Sequence, residues 1–154
     1  MLLPGLLDNS LIEYVPFIDA VKAIGSFYGP PDRFKATGRF VYCHLSKTNI
    51  RNLIKYIDCS PGDDCFIRLY TLGGKIKDFS SDYSAYYYRD ASYIIGITAD
   101  WEEYEDGNVF KNWVSQVFKY VETITNGSYV NFPYAQLKYY GYEYLSLIHI
   151  SERA

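Results

Sequence analysis

NVFKNWVSQVFKYVET, residues 108–123, is the stretch of sequence that decides the fold. Its apolar side chains recur every three or four residues: Val109, Phe110, Trp113, Val114, Val117, Phe118 and Val121. This spacing predicts an amphipathic helix with one wide apolar face. Because such a face must be buried against another element, we expect the helix to lie on a sheet.

Strand-like segments precede this helix. Alternation of side chains and enrichment in β-branched and aromatic residues predict strands at residues 37–45, 65–72 and 91–99. In the third, Tyr93, Ile95 and Ile97 are expected to share one face. Gly73-Gly74 predicts a tight turn, after which residues 75–79 are expected to form a short hairpin partner.

Two further helices complete the pattern. One is predicted from Pro16 to Gly25, with a Gly-Pro-Pro-Asp turn at 29–32, and the other from an N-cap at Ser46 to Ile57. The order of elements and the short connections favour an α+β fold, an antiparallel sheet flanked by helices, over a parallel doubly wound sheet.

Composition narrows the class of protein. The chain has 154 residues, a hydrophobic fraction of 49% and a formal net charge of -3, which suits one globular domain and excludes a basic nucleic-acid-binding surface. No metal-binding motif, secretory leader or membrane-spanning segment is predicted, which favours a soluble, cytoplasmic protein. Cys43, Cys59 and Cys65 are expected to be free thiols, with a Cys59–Cys65 cross-link as the alternative.

Two aromatic segments are the candidate functional residues. GSYVNFPY, residues 127–134, places the phenols of Tyr129 and Tyr134 beside the amide of Asn131, a combination that can grip a flat ring or a polyol. Alternatively, these polar groups only cap neighbouring backbone. Arg89 follows three tyrosines and can hold an anionic group, or it is a surface arginine at a strand edge.

The same segments carry a resemblance to a known family. Asn112-Trp113, residues 127–134 and Tyr139-Tyr140-Gly141, together with Leu72-Gly73-Gly74-Lys75-Ile76 and Tyr88-Arg89, resemble the carboxy-terminal region of berberine bridge enzyme-like FAD-linked oxidases. The resemblance implies that the chain is the later part of a two-domain flavoenzyme. Its partners would be the amino-terminal FAD-binding domain of the same parent chain, a small-molecule substrate and oxygen.

The resemblance also implies roles for individual residues. Many relatives carry a tyrosine base where this chain has Phe132, so the implied catalytic phenols are Tyr129 and Tyr134. The implied substrate contacts are Tyr88, Arg89 and Phe132, and Asn131 is the implied cofactor contact. The chain would then serve an FAD-dependent oxidoreductase that oxidises a sugar, alcohol or phenolic hydroxyl, with the isolated chain inactive. The alternative function is a non-catalytic, tyrosine-rich ligand-binding module.

These considerations divide the chain into four predicted segments. Residues 1–33 form a helical lead-in, 34–126 the antiparallel α+β substrate domain, and 127–144 the berberine-bridge-type carboxy-terminal segment. Residues 145–154 depart from the family's ending. We interpret them as a non-native tail and leave them out of the fold prediction.

Overall fold

A computed structural model of the chain describes residues 14–25, 33–84 and 86–150. The chain divides into two compact units, residues 1–31 and 32–154. In the first unit the predicted helix is present as α1, Phe17–Gly25, and Ile18 and Val21 are exposed on it. The predicted turn at 29–32 and residues 151–154 of the predicted tail lie outside the described residues.

The second unit is built on a three-stranded antiparallel sheet. Its strands are β1 (Arg33–Val41), β2 (Cys65–Thr71) and β3 (Tyr93–Trp101), in the spatial order β1-β3-β2. Since β1 and β2 each run antiparallel to β3, they run parallel to one another on its two sides. The helices are α2 (Lys47–Asp58), α3 (Gly107–Glu122) and α4 (Tyr140–Ile150). The predicted α+β class, with an antiparallel sheet and flanking helices, is confirmed.

Helix α3 covers one face of the sheet, as its sequence pattern predicts. Its apolar stripe packs into a core with Val41, Ile95 and Ile97, and the buried members of the stripe are Phe110, Trp113, Val114, Val117, Phe118 and Val121. The prediction was wrong for Val109, which is 49% exposed. Because a helix turns about 100° per residue, successive steps of four residues drift around it and carry Val109 away from the buried face.

The boundaries of two strands differ from the prediction for one physical reason. β1 begins at Arg33 and ends at Val41, four residues earlier than predicted at each end, and β3 continues to Trp101. The two strands pair along their whole length, from Arg33 opposite Trp101 to Val41 opposite Tyr93. Backbone pairing between β1 and β3 therefore determines where the two strands begin and end. The predicted ends were based on residue type alone.

The predicted hairpin partner at 75–79 is absent, and Gly74–Asp78 forms a short 3-10 helix instead. Gly73 and Gly74 both have positive φ, 153° and 57°, a backbone conformation that glycine adopts readily. With two consecutive residues at positive φ, the chain leaves the direction of β2 and continues into the 3-10 helix.

Other predictions concern thiols and membranes. Cys43, Cys59 and Cys65 are all free, with only Cys65 buried, which confirms the prediction of free thiols over a Cys59–Cys65 cross-link. Across the described ranges, no helix combines the length and the apolar character that crossing a bilayer requires.

Trp113 generates a stability prediction. It is 5% exposed, and its indole Nε1 donates to the Tyr56 carbonyl at 2.9 Å, which ties α3 to α2. We expect Trp113→Ala to lower the free energy of unfolding by about 3–5 kcal/mol because it opens a cavity in the core. Urea denaturation followed by circular dichroism measures the change. Tyr104→Ala, at a residue 86% exposed, is the control and should change stability by less than about 0.5 kcal/mol.

Candidate active site

The segment that follows α3 pairs with the free edge of β1. Asn126 N–H donates to the Phe40 carbonyl at 3.1 Å, and Phe40 N–H donates to the Gly127 carbonyl at 3.1 Å. Tyr129 N–H donates to the Gly38 carbonyl at 2.8 Å. Ser128 forms an isolated antiparallel bridge with Arg39. Residues 126–129 are therefore held in register with β1 like a short additional strand. This pairing fixes the positions of their side chains relative to the sheet.

Gly127 is required at its position for two reasons. Its φ is +76°, and a Cβ placed there would lie 2.3 Å from Cε1 of Tyr88. Such a distance is far inside van der Waals contact. The absence of a side chain thus lets the segment approach Tyr88 while it stays paired with β1.

An aromatic cluster covers the sheet face opposite α3, and it consists of Phe40, Tyr86, Tyr88, Tyr129 and Phe132. Phe40 stacks on Tyr88 with ring centroids 4.4 Å apart, and Tyr129 meets Phe40 edge-on at 5.7 Å. Phe132 meets Tyr129 edge-on at 5.2 Å. Three predicted site residues, Tyr88, Tyr129 and Phe132, therefore lie in one cluster. Tyr86 joins them from the tyrosine run before Arg89.

Two glycines make room for rings on this face. Gly38 and Gly96 are directly opposed in the pairing of β1 with β3. A Cβ at Gly38 would lie 2.7 Å from Phe132, and one at Gly96 would lie 2.6 Å from Tyr70. The centroids of Phe132 and Tyr70 are 5.6 Å apart. Sequence reasoning missed Tyr70, although a glycine inside a strand is a recognised sign of close approach by another group.

Tyr129 and Asn131 place hydrogen-bonding groups at the edge of this face. The side-chain amide Nδ2 of Asn131 donates to the Tyr129 hydroxyl oxygen at 2.9 Å. Asn131 is exposed and Tyr129 is half-buried, so the pair lies at the solvent side of the aromatic cluster. Because the oxygen accepts this bond, the phenol proton stays free to be donated to a bound molecule.

Tyr134 lies in a different environment from Tyr129. Its ring stacks on Phe118 of α3 with centroids 4.1 Å apart and belongs to the core on the helix side of the sheet. Its backbone N–H donates to the Tyr144 hydroxyl at 2.7 Å, and Lys35 Nζ lies 4.9 Å from its ring centroid. The two phenols with predicted catalytic roles are thus divided between the two faces of the sheet.

Arg89 is surrounded by aromatic rings. Its guanidinium carbon lies 5.6–5.7 Å from the ring centroids of Phe79, Tyr83 and Tyr86. One nitrogen donates to the Ser84 hydroxyl, and the buried Nε has no hydrogen-bond partner. Through Tyr86, Arg89 adjoins the aromatic cluster, and its predicted contact with substrate stays a prediction.

A buried ion pair that sequence reasoning missed holds the site together. Arg39, 2% exposed, donates from Nη1 to Glu143 Oε2 at 2.8 Å and to the Ser128 hydroxyl at 2.9 Å. Its Nε donates to the Thr125 hydroxyl at 2.8 Å. The Glu143 carbonyl accepts from Ser128 N–H and from the Tyr88 hydroxyl. Arg39 therefore connects β1, the 125–129 segment and α4. The Tyr88 hydroxyl adds a further hydrogen bond to α4.

Burial changes the acidity of several phenols near this ion pair. Burial raises the pKa of Tyr88, and Tyr42 and Glu143 raise it further because a phenolate would face other negative charges. Burial likewise raises the pKa of Tyr42 to about 12. Burial also raises the pKa of Tyr86, with the Tyr129 phenol adding to the effect and Arg89 opposing it. The folded protein thus keeps these phenols protonated at alkaline pH.

These shifts predict how stability responds to pH. Unfolded tyrosines ionise near pH 10, whereas folded Tyr88 holds its proton to higher pH. The unfolded state therefore loses protons first, and the free energy of unfolding should fall as pH rises from about 10 to 12. Tyr88→Phe should make this fall shallower, as measured by urea denaturation at pH 8, 10 and 11. An unchanged slope in the variant would show that Tyr88 ionises normally in the fold.

The buried ion pair predicts a non-additive double mutant. Arg39→Met leaves the Glu143 carboxylate without its partner and should cost about 3–5 kcal/mol of unfolding free energy. Adding Glu143→Leu removes the stranded charge and should recover part of that loss. Urea denaturation of the four proteins in the cycle measures the coupling. Additive effects would contradict the role given to this pair.

The chain is similar in sequence to a known protein, although no family model matches it. The chain is 26% identical over 147 residues to YgaK of Bacillus subtilis (strain 168), described as an uncharacterized FAD-linked oxidoreductase, and the match covers 92% of this chain and 33% of that protein. The chain therefore spans about a third of the length of this relative.

Solved structures give the same match at the level of fold. Berberine bridge enzyme from Eschscholzia californica has a TM-score of 0.73 at 17% identity, over 84% of this chain and 31% of that one. Berberine bridge enzyme-like protein 28 from Arabidopsis thaliana has a TM-score of 0.65 at 22% identity, over 74% and 28%. The resemblance inferred from the sequence is thus confirmed: the chain is similar in sequence to part of an FAD-linked oxidoreductase and has the fold of part of a berberine bridge enzyme-like structure.

Proposed function

We propose that this chain forms the substrate wall of an FAD-dependent oxidoreductase that oxidises a hydroxyl-bearing small molecule and passes the electrons to oxygen. The supporting observation is the aromatic cluster on the sheet face opposite α3, with the Tyr129 phenol and the Asn131 amide at its solvent side. Rings stack on flat or sugar-like molecules, and the two polar groups can bind their hydroxyls. The similarity to an FAD-linked oxidoreductase supports the class of reaction.

The described residues fit one side of a flavin site only. Phe132 and Tyr70 adjoin one another over Gly38 and Gly96, with their rings tilted by 46°, and would face the flavin across a bound substrate. A pyrophosphate needs a different surface, usually the N–H groups of a glycine-rich loop that opens a helix. In the described part of the chain, the two adjacent glycines Gly73 and Gly74 lead only into a five-residue 3-10 helix. We infer that other parts of a longer protein hold the flavin phosphates.

The chain's own residues would bind and orient the substrate. FAD, when bound, accepts a hydride from the carbon that carries the substrate hydroxyl. Phe132 and Tyr70 would stack on the substrate, and Tyr129 would bind its hydroxyl. For catalysis Tyr129 must first lose its own proton, because only the phenolate can accept the substrate's hydroxyl proton as a general base. Asn131 would hold the phenol in position. The Asn131 side chain would thus orient the proton acceptor Tyr129. Its predicted contact with the cofactor stays a prediction.

Tyr129 is better placed than Tyr134 for this role. Tyr129 lies beside Phe132 in the aromatic cluster, whereas Tyr134 stacks on Phe118 beneath α3. One substrate molecule on the face opposite α3 would reach Tyr129 and Phe132 together. Arg89 lies next to Tyr86 at the same face and would contact an anionic or polar part of the substrate.

The proposal predicts unequal effects of removing the two hydroxyls. In the flavin-loaded, full-length protein, Tyr129→Phe should lower kcat by about 10²–10⁴-fold, because it removes the general base and keeps the ring. Tyr134→Phe is the matched comparison and should keep kcat within a few-fold. Steady-state oxidation of a panel of sugars and phenols measures the rates, and thermal melts show whether folding is preserved.

Three outcomes of this experiment would count against the proposal. Full kcat in Tyr129→Phe excludes Tyr129 as the base, and a selective loss in Tyr134→Phe transfers that role to Tyr134. A full-length protein that binds saccharides but carries no visible flavin absorbance would exclude an oxidoreductase and favour the non-catalytic ligand-binding module.

A further inference from the structure

A cavity adjoins the aromatic cluster and shares Phe132 with it. It lies between the start of β1, the second turn of α3 and residues 131–136, and has a volume of about 730 Å³. Its lining includes Phe34, Lys35, Lys111, Asn131, Tyr134 and Gln136. Binding sites for small molecules typically have volumes of about 300–1,000 Å³, so the cavity has room for one.

Two lysines give this cavity its charge. Lys35 Nζ donates to the Ser115 hydroxyl at 3.0 Å and lies 4.9 Å from the Tyr134 ring centroid. Lys111 Nζ lies 5.4 Å from the ring centroid of Trp101. None of the ion pairs among the described residues includes either lysine. Both ammonium groups are thus held by neutral partners.

None of the carboxylates at 102–106 forms an ion pair with either lysine. Glu103 pairs with Arg33 at 2.6 Å, Asp106 caps α3 by accepting from Asn108 N–H, and Glu105 accepts from Glu102 N–H at 2.7 Å. Burial lowers the pKa of Lys35, and the charge of Lys111 lowers it further. The two cations therefore repel one another across the cavity, and an anion bound between them would relieve that repulsion.

We propose that this cavity binds a planar ring that carries a carboxylate or phosphate group. The two lysines would bind the anionic group, and the exposed Phe34 supplies a face on which a ring can stack. The amides of Asn131 and Gln136 can bind ring hydroxyls. The cavity shares Asn131 and Phe132 with the proposed substrate wall. Binding of small probes needs no flavin, so the test below can fail while the oxidoreductase function holds.

The ligand class can be tested with three small probes on the full 154-residue chain. Benzoate, phenyl phosphate and benzyl alcohol are titrated in turn, and the amide resonances of Lys35 and of residues 131, 132 and 134–136 are followed by NMR. At least one of the two anions should bind at least tenfold more tightly than benzyl alcohol, and added salt should weaken it. The tighter of the two identifies carboxylate or phosphate. Equal binding of all three probes, or binding of none, overturns the proposal.

Matched variants separate charge from folding. The double variant Lys35→Gln, Lys111→Gln should lose at least tenfold in affinity for the tighter anion, whereas Lys111→Arg keeps the charge and should retain binding. Lys47→Gln, at the start of α2 and away from the cavity, is the control and should bind like the unmodified chain. Unchanged affinity in the double variant overturns the proposal. So does equal loss in all variants, which would point to a general effect of surface charge.

Discussion

The buried ion pair between Arg39 and Glu143 is the constraint on which the rest of the site depends. Arg39 lies near the end of β1, two residues before Val41, and the partners of its guanidinium come from the 125–129 segment and from α4. Burying two charges costs free energy that only good geometry and further hydrogen bonds offset. Here the Thr125 and Ser128 hydroxyls supply those bonds. The same arrangement that satisfies Arg39 therefore positions the backbone that carries Tyr129.

The two faces of the sheet have different tasks. α3 and its apolar stripe fill the face that includes Val41 and Ile97, and this packing stabilises the fold. The opposite face has glycines at Gly38 and Gly96, which leave space for the rings of Phe132 and Tyr70 to approach the strands. A surface of rings over glycines is suited to planar molecules. The proposed substrate wall follows from this division between the faces.

Sequence reasoning succeeded where the signal is local. The repeat of apolar residues predicted α3, and alternation predicted three strands, because side-chain periodicity records which face is buried. It could not predict Arg39, whose partner Glu143 is 104 residues away along the chain. It also grouped Tyr129 with Tyr134, five residues apart, although the segment crosses the edge of β1 between them. Only the pairing of that segment with β1 reveals on which face each phenol lies.

The long loop closed by Arg39 and Glu143 also bears on the order of folding. Local contacts such as those within α3 form early, whereas contacts between distant residues must wait for the intervening chain to be ordered. During synthesis, β1 leaves the ribosome long before α4, so Arg39 has no carboxylate partner until about a hundred further residues have been added. We expect the aromatic cluster to be among the last parts of the domain to become rigid. A newly made chain would thus have a folded core before it has a site.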